Sequence, residues 1–338
     1  MKGLHHIVLE TGRLKYEFDI KRNITIILGD SASGKTTMVG LLTLFAARKK
    51  SSGVILQSDV PCEVYNGSQD AWKSILSDIH KSIIFIDEGY DFIFTEEFAD
   101  LLEASDNYYV LITRKPIRNL PYSIHEIYGI RTTGKYHFPE KVYHEFYPII
   151  EETPLSKDPY DNVTVITEDE GSGYQFFSKS FHSECTSAKG NSNFYKCLKA
   201  MGTDKKSLII ADGAAFGAYV DNILDLREAG YNISLYLPES FEWIILKSGV
   251  VKANNLNEVL ANPENYIESS VYFSWERFFT DYLRNATKDN RLQRYNKSRL
   301  SAFYTKGQVQ KDIINTLPDV LRNLYQECNP EITASSDT

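Results

Sequence analysis

An apolar strand that runs straight into GDSASGKTT, Gly29 to Thr37, and from there into a helical stretch constrains this chain more than any other feature. The segment fits G-x-x-x-x-G-K-[ST], and its place between strand and helix is the context that pattern requires. Glycines let successive backbone N–H groups curl around phosphate oxygens at the positive end of a helix, while Lys35 neutralises the outer phosphates and Thr36 ligates magnesium. Gly29, Asp30, Ser31, Ala32, Ser33, Gly34, Lys35, Thr36 and Thr37 are therefore the candidate nucleotide-binding residues, with ATP and Mg2+ as the expected ligands. The alternative is a Gly-rich turn that caps a helix.

Holding the metal takes a second acidic group. SIIFIDE supplies it, with four apolar residues leading to Asp87 and Glu88. Asp87 is expected in the magnesium shell and Glu88 to orient or deprotonate the attacking water, so Lys35 and Glu88 are the candidate catalytic residues of an ATPase. Two acids capping the next helix are the alternative. LITRK places Thr113 and Arg114 after another apolar strand. The Thr113 hydroxyl is a candidate γ-phosphate sensor and Arg114 a candidate finger for a neighbour's nucleotide; Arg114 reads equally as an ordinary strand-end cation. Tyr16 and Phe18 either stack on adenine or fill the core, and aromatics alternating on a strand favour the core.

The rest of the first half alternates strand and helix signals. IVLE at 7–10, LKYEFDI at 14–20 and ITIILG at 24–29 precede VILQS at 54–58 and a helix over about 69–80; IIFIDE at 83–88, a helix over about 96–104 and YYVLIT at 108–113 follow. Pro148, Pro154 and Pro159 among charged residues then break both periodicities. A second series comprises VTVIT at 163–167, a helix near 173–181, SLIIAD at 207–212, a helix near 216–229 and ISLYL at 233–237, with helical signal from Asn254 to about Glu327. The expected organisation is an α/β nucleotide-binding domain over 1–147, a linker over 148–161, a second α/β domain over 162–252, a helical extension over 253–328 and a disordered tail over 329–338.

A chain of 338 residues accommodates two such domains, and 42% hydrophobic with 24% charged residues describes a folded protein. No apolar run approaches the roughly 18 residues of a membrane span, and the start lacks a signal-peptide layout, so a cytoplasmic location without membrane attachment is expected. Cys62, Cys185, Cys197 and Cys328 are scattered, which suggests neither a zinc site nor a disulfide framework. The net charge of -8 argues against a general nucleic-acid coat protein but leaves local basic patches open.

The strand pair before the Gly-rich segment, together with Asp87-Glu88, resembles ATP-binding-cassette ATPases of the recombination and phage-defence kind, GDSASGKTT being the Walker A and SIIFIDE the Walker B motif of a P-loop NTPase. The resemblance implies ATP hydrolysis at a site completed across an ATP-dependent homodimer. Only about 50 residues separate the two motifs, so the family's helical subdomain is missing or very short. YNGSQ at 65–69 is either a remnant of the family's LSGGQ signature or a simple loop, and Thr113-Arg114 stand where the family has a histidine.

In the second half VTVITEDEGSGYQFF puts Glu168 after one apolar strand, and LIIADGAAFG ends another at Asp212. This order resembles a Toprim domain, in the version fused to ATPases in overcoming-lysogenization-defect nucleases and related defence proteins. The resemblance implies that Glu168 and Asp212 bind magnesium and act in cleaving nucleic acid. Ala214 stands where the family's Asp-x-Asp has its second aspartate. LPESFEWIIL adds Glu239 and Glu242, similar to an acidic helix of the family, with Glu242 the candidate replacement ligand. Acids at strand ends that cap helices in an inactive domain are the alternative. Nothing completes a ligand set around His182 and Cys185.

From Arg284 to Lys311 the basic residues outnumber a single acid, Asp289. Arg284, Lys288 and Arg291 fall at helical spacing, with Arg294 and Lys297 beside them and Tyr295 and Tyr304 interleaved, which reads as a nucleic-acid phosphate face or as a solvated helix surface. The expected function is an ATP-hydrolysing phage-defence or mobile-element protein whose nucleotide state controls a Toprim-like domain acting on nucleic acid. The alternative is a nucleotide-dependent switch or scaffold whose inactive second domain binds a protein partner.

Overall fold

The computed structural model describes residues 1–29, 34–137, 141–150, 163–182 and 185–330. Asp30, Ser31, Ala32 and Ser33, the expected linker from position 151 onward and the tail from 331 lie outside the described residues. The chain forms two compact units, one of Met1–Glu151 with Asn262–Ser274 and one of Glu152–Ala261 with Trp275–Thr338.

In the first unit β1 (His5–Glu10) and β2 (Leu14–Ile20) pair antiparallel, and β3 (Ile24–Ile27) leads to α1 (Lys35–Arg48). Then come β4 (Ile55–Gln57), β5 (Cys62–Val64), α2 (Trp72–Ser77), β6 (Ile83–Ile86), α3 (Glu96–Glu103), β7 (Tyr108–Ile112), β8 (Ile127–His137) and β9 (Lys141–Pro148). The strands join one mixed sheet in the order β4-β1-β2-β9-β8-β3-β7-β6-β5.

The parallel strands β3, β7 and β6 are buried at every position, because helices cover both faces. Along β7 the period of two divides the work. Tyr108, Val110 and Ile112 join Met38 and Leu42 of α1 in one cluster, while Tyr109 turns its ring to Phe98 of α3.

Three elements differ from the sequence reading. The helix expected over about 69–80 is confined to Trp72–Ser77. The stretch before the linker, read without elements, forms the β8–β9 hairpin, whose pairing shifts register between Thr132 and Tyr136. Gly129 sits opposite Tyr147, and a Cβ on it would lie 2.5 Å from that ring, so glycine there makes room for an aromatic that crosses the strand. Finally, part of the expected helical extension belongs to the first unit: the Gly3 N–H donates to the Glu264 carbonyl at 2.8 Å, and Asn23 Nδ2 to the Phe273 carbonyl at 2.7 Å.

The second unit is built on β10 (Val163–Thr167), α4 (Ser172–Phe181), β11 (Cys185–Ser187), α5 (Phe194–Met201), β12 (Lys206–Ile210), α6 (Val220–Glu228) and β13 (Ile233–Tyr236). Its sheet is wholly parallel in the order β11-β10-β12-β13. The chain steps outward from β10 to β11, then returns past β10 to β12, so the winding reverses between β10 and β12. α7 (Phe241–Lys247), α8 (Leu256–Ala261), α9 (Trp275–Thr287), α10 (Gly307–Asn315) and α11 (Asp319–Cys328) follow. Between α9 and α10 the chain makes turns, so the helix expected to carry the basic stretch stops at Thr287. Among the described residues no helix is long and apolar enough to cross a membrane.

The loop after β12 packs directly on the loop after β13. The Gly213 N–H donates to the Pro238 carbonyl at 2.6 Å, and a Cβ at Gly213 would lie 2.3 Å from the Leu237 carbonyl oxygen. Backbone cannot rotate away as a side chain does. Gly213→Ala is expected to destabilise the second unit by about 1–3 kcal/mol, read as a lower urea midpoint; an unchanged midpoint would contradict this packing.

Candidate functional site

In the first unit β7 lies between β3 and β6. The carboxyl ends of these three parallel strands therefore bring Gly29, Thr113-Arg114 and Asp87-Glu88 to one edge of the sheet. Gly29 has φ +135° and Gly34 +95°, a region closed to most side chains, which accounts for glycine at both positions. Lys35 opens α1 and is 6% exposed, with its Nζ bonded to the Gly29 carbonyl. Thr36 and Thr37 are exposed on the first turn of α1. Asp87 Oδ1 accepts from the Glu88 N–H at 2.9 Å.

Arg114 grips Glu88 in a two-pronged pair, Nε and Nη2 each 2.7 Å from a carboxylate oxygen. That pairing, with Lys35 adding to it, holds the Glu88 carboxyl below the usual range. Arg114, read as a finger for a neighbour's nucleotide, is engaged by its own chain. Thr113, read as a γ-phosphate sensor, is buried, and its hydroxyl donates to the Lys115 carbonyl at 2.9 Å while accepting the Lys115 N–H at 3.0 Å. Such a local turn uses the hydroxyl's hydrogen and one of its two acceptor positions.

Tyr16 and Phe18 are core residues, not platforms for adenine. The Tyr16 hydroxyl donates to the Gly34 carbonyl at 3.0 Å, and its ring stacks on His144 of β9 at 4.4 Å. His144 escaped the sequence reading because β9 shows no clean alternation. Its ring lies within 3.4 Å of where a Gly34 Cβ would stand, burial lowers its pKa, and among the described residues its Nδ1 has no hydrogen-bond partner. In YNGSQ the Tyr65 hydroxyl donates to the Ser68 carbonyl at 2.5 Å and Gln69 Nε2 to the Gly89 carbonyl at 2.7 Å. The segment is thus a turn tied to the residues just past Glu88.

In the second unit Glu168 and Asp212 lie just past the carboxyl ends of β10 and β12, at the reversal where open α/β sheets bind ligands. They line a pocket together with Ser172, Glu242 and Lys297. Asn191 Nδ2 donates to Glu168 Oε1 at 2.9 Å, and the Phe241 N–H to Asp212 Oδ1 at 3.1 Å. Glu242 is fully buried, and its Oε1 accepts the Tyr295 hydroxyl at 2.6 Å. The Ser172 and Tyr295 hydroxyls stand 2.5 Å apart, so Ser172 donates onward to Tyr295. Ala214 is buried, its N–H donates to the Glu239 carbonyl, and it does not line the pocket.

Two charged residues that line this pocket, Asp169 and Lys297, were not read as part of it. Glu276, on the first turn of α9, accepts a hydrogen bond from Lys297 Nζ, which lies 3.9 Å from Asp212 Oδ2. Lys297 belongs to the pocket and not to a basic helical face. Tyr295 and Tyr304 are core residues, and Arg284, Lys288, Arg291 and Arg294 are exposed across the end of α9 and the turns after it, so they share no helical face. The turns carry Lys297 inward because the Ser172 N–H donates to the Lys297 carbonyl at 2.7 Å and Gln175 Nε2 to the Ser298 carbonyl at 2.8 Å.

The pocket is short of positive charge. Burial, then the charges of Glu276 and Asp169, push Glu168 up to about 7 against the pull of Lys297. Asp212 is raised by burial, then by Glu276 and Glu168. For Lys297 burial works the other way, but Asp212, Glu276 and Glu242 outweigh it and hold the ammonium charged. Among the described residues no three His, Cys, Asp or Glu side chains converge as a metal-ligand set. Comparison with family models, curated proteins and solved structures finds nothing that matches this chain.

Glu168 ties stability to pH. Below its ordinary value of 4.5 it is protonated in both folded and unfolded chains, so ionisation costs nothing; as pH rises through 7 the folded state must hold the charge, a loss of about 3 kcal/mol. Hydrogen exchange of β10 and β12 is therefore expected to slow, after correction for intrinsic rates, from pH 8 to pH 5.5. In Glu168→Gln that trend should flatten; an equal slope in both proteins would contradict the assignment.

Proposed function

We propose that the protein binds and hydrolyses ATP at Gly29–Thr37 in its first unit, as a P-loop NTPase, and that the nucleotide state controls a Toprim-like second unit that cleaves nucleic acid with magnesium. One observation carries this: in each unit the charged side chains stand past the carboxyl ends of parallel strands, the edge where α/β sheets bind ligands. In the first unit Lys35 neutralises phosphate charge, Thr36 and Asp87 fill the Mg2+ shell, and Arg114 has a phosphate to turn to. Glu88, once released by Arg114, orients the attacking water.

In the second unit the support for the metal-dependent reading is that Glu168 and Asp212 are carboxylates in one pocket short of positive charge, although no third acidic side chain completes a ligand set among the described residues. Mg2+ held there by Glu168 and Asp212 would supply charge neutralisation at phosphoryl oxygens and an acidified water. The exposed Arg284, Lys288, Arg291 and Arg294 meet the nucleic-acid backbone, with binding that weakens steeply in salt. Self-association that tightens with ATP, and a role in phage defence or a mobile element, go with the family resemblances. Ala214 favours the second reading, a nucleotide-dependent switch, since the loop after Asp212 offers one carboxylate fewer than the Toprim pattern.

Lys35→Ala is expected to weaken Mg-ATP binding at least about 100-fold in calorimetry, roughly the 3 kcal/mol of a charge-assisted contact; unchanged binding would end the ATPase reading. Metal-dependent cleavage of DNA or RNA should be lost in Glu168→Ala. A wild type that cleaves neither, in Mg2+ or Mn2+, would leave the switch.

A further inference from the structure

Two side chains outside the glycine-loop motif meet at its last glycine. His144 of β9 lies abreast of Tyr16 of β2 across parallel strands, and residues in that register share one face of the sheet. Their rings stack with centroids 4.4 Å apart and planes 12° from parallel. Tyr16 is 1% exposed, and its hydroxyl donates to the Gly34 carbonyl at 3.0 Å. Burial pushes its pKa up to about 12, so the hydroxyl keeps the proton it donates. Burial also lowers the pKa of His144, which leaves a neutral, flat imidazole against the Tyr16 ring.

The Gly34 carbonyl is where this pair acts. It accepts two donors, the Tyr16 hydroxyl and, at 3.0 Å, the N–H of Met38 in the first turn of α1. Two donors occupy both lone pairs of a carbonyl and so fix the direction in which it points. A trans peptide is planar, with its C=O and N–H pointing opposite ways, so fixing the Gly34 carbonyl also aims the N–H of Lys35. Lys35 is the first residue of α1, where backbone N–H groups face out of the helix towards its N-terminal side. Glycine at φ +95° has no side chain with which to hold that plane. Its surroundings hold it instead: a Cβ there would lie 3.1 Å from the Tyr16 oxygen and 3.4 Å from Cδ2 and Nε2 of His144.

We propose that Tyr16 and His144 are positioning residues of the nucleotide site: the Tyr16 hydroxyl sets the plane of the Gly34–Lys35 peptide, and the His144 ring holds that hydroxyl in place by stacking. The inference rests on the reading of Gly29–Thr37 as a nucleotide loop. It adds two residues that lie outside the motif, one of them on β9, far along the chain. Both act through the peptide and not on the nucleotide itself. A loop that binds phosphate through backbone N–H groups gains affinity when those groups are already aimed, since less freedom is lost on binding.

The test is calorimetric titration of the full chain with Mg-ATP, alongside urea unfolding without nucleotide. Tyr16→Phe keeps the ring and removes the hydroxyl; it is expected to weaken Mg-ATP binding about fivefold, the equivalent of one hydrogen bond of about 1 kcal/mol. His144→Ala should weaken binding by a similar factor. The double variant, Tyr16→Phe with His144→Ala, should lose no more than the larger single effect, because both changes act on one hydroxyl. His144→Phe restores a flat ring against Tyr16 and is expected to bind as the wild type does. Near-ultraviolet circular dichroism confirms that each variant folds, and Tyr16→Phe decides the matter alone should His144→Ala not fold. If Tyr16→Phe binds as the wild type does, if His144→Phe binds as weakly as His144→Ala, or if the two losses add, the inference falls and the nucleotide reading stands. A lowered urea midpoint with unchanged affinity reduces the pair to packing and overturns the inference as well. A wild type that gives no heat with Mg-ATP takes down both.

Discussion

Parallel strands buried on both faces leave this chain few places for charge. Their side chains are committed to helices above and below, and their backbone groups to neighbouring strands, so ionisable groups collect in the loops past the carboxyl ends. Both units follow from that constraint. In the first, Gly29, Thr113-Arg114 and Asp87-Glu88 follow β3, β7 and β6; in the second, Glu168 and Asp212 follow β10 and β12. The two candidate sites share a physical origin although their chemistry differs.

They handle charge in opposite ways. The Glu88–Arg114 pair is solvated, and such pairs contribute on the order of 0–1 kcal/mol, so neither partner is held tightly by the other. The second pocket is buried, with Glu168 and Asp212 raised by desolvation and by each other's company. A group of acids around Lys297 is stable only through that one ammonium, through protonation or through a bound cation. The pH dependence of stability expresses that imbalance.

Much of this was legible in the sequence, for reasons visible in particular residues. IIFI, YYVLI and VTVIT are apolar runs of strand length, and each forms a strand where it was read. Gly29 and Gly34 carry positive φ, which the G-x-x-x-x-G spacing anticipates. Glu168 and Asp212 were picked as acids at strand ends and do meet in one pocket. Other features left no such mark. The β8–β9 hairpin carries glycine, a register shift and charged residues in place of alternation, so His144 beside Gly34 went unseen. The basic residues after Arg284 imitate a helical face through their spacing, yet the chain turns there and sends Lys297 inward while Arg291 and Arg294 stay in solvent.

The sequence by itself determined the α/β class, the strand–glycine loop–helix start of the first unit and the acids that end the buried strands, because those depend on local periodicity and on side-chain chemistry close in the chain. Which charges meet was decided only by the tertiary structure. Glu276 reaches Lys297 from 21 positions away and Asp212 from farther still; Arg114 finds Glu88 across two adjacent strands; the Thr113 hydroxyl closes on the Lys115 carbonyl two residues on. Such encounters depend on strand order and on where a turn ends a helix, and neither leaves a periodic trace along the chain.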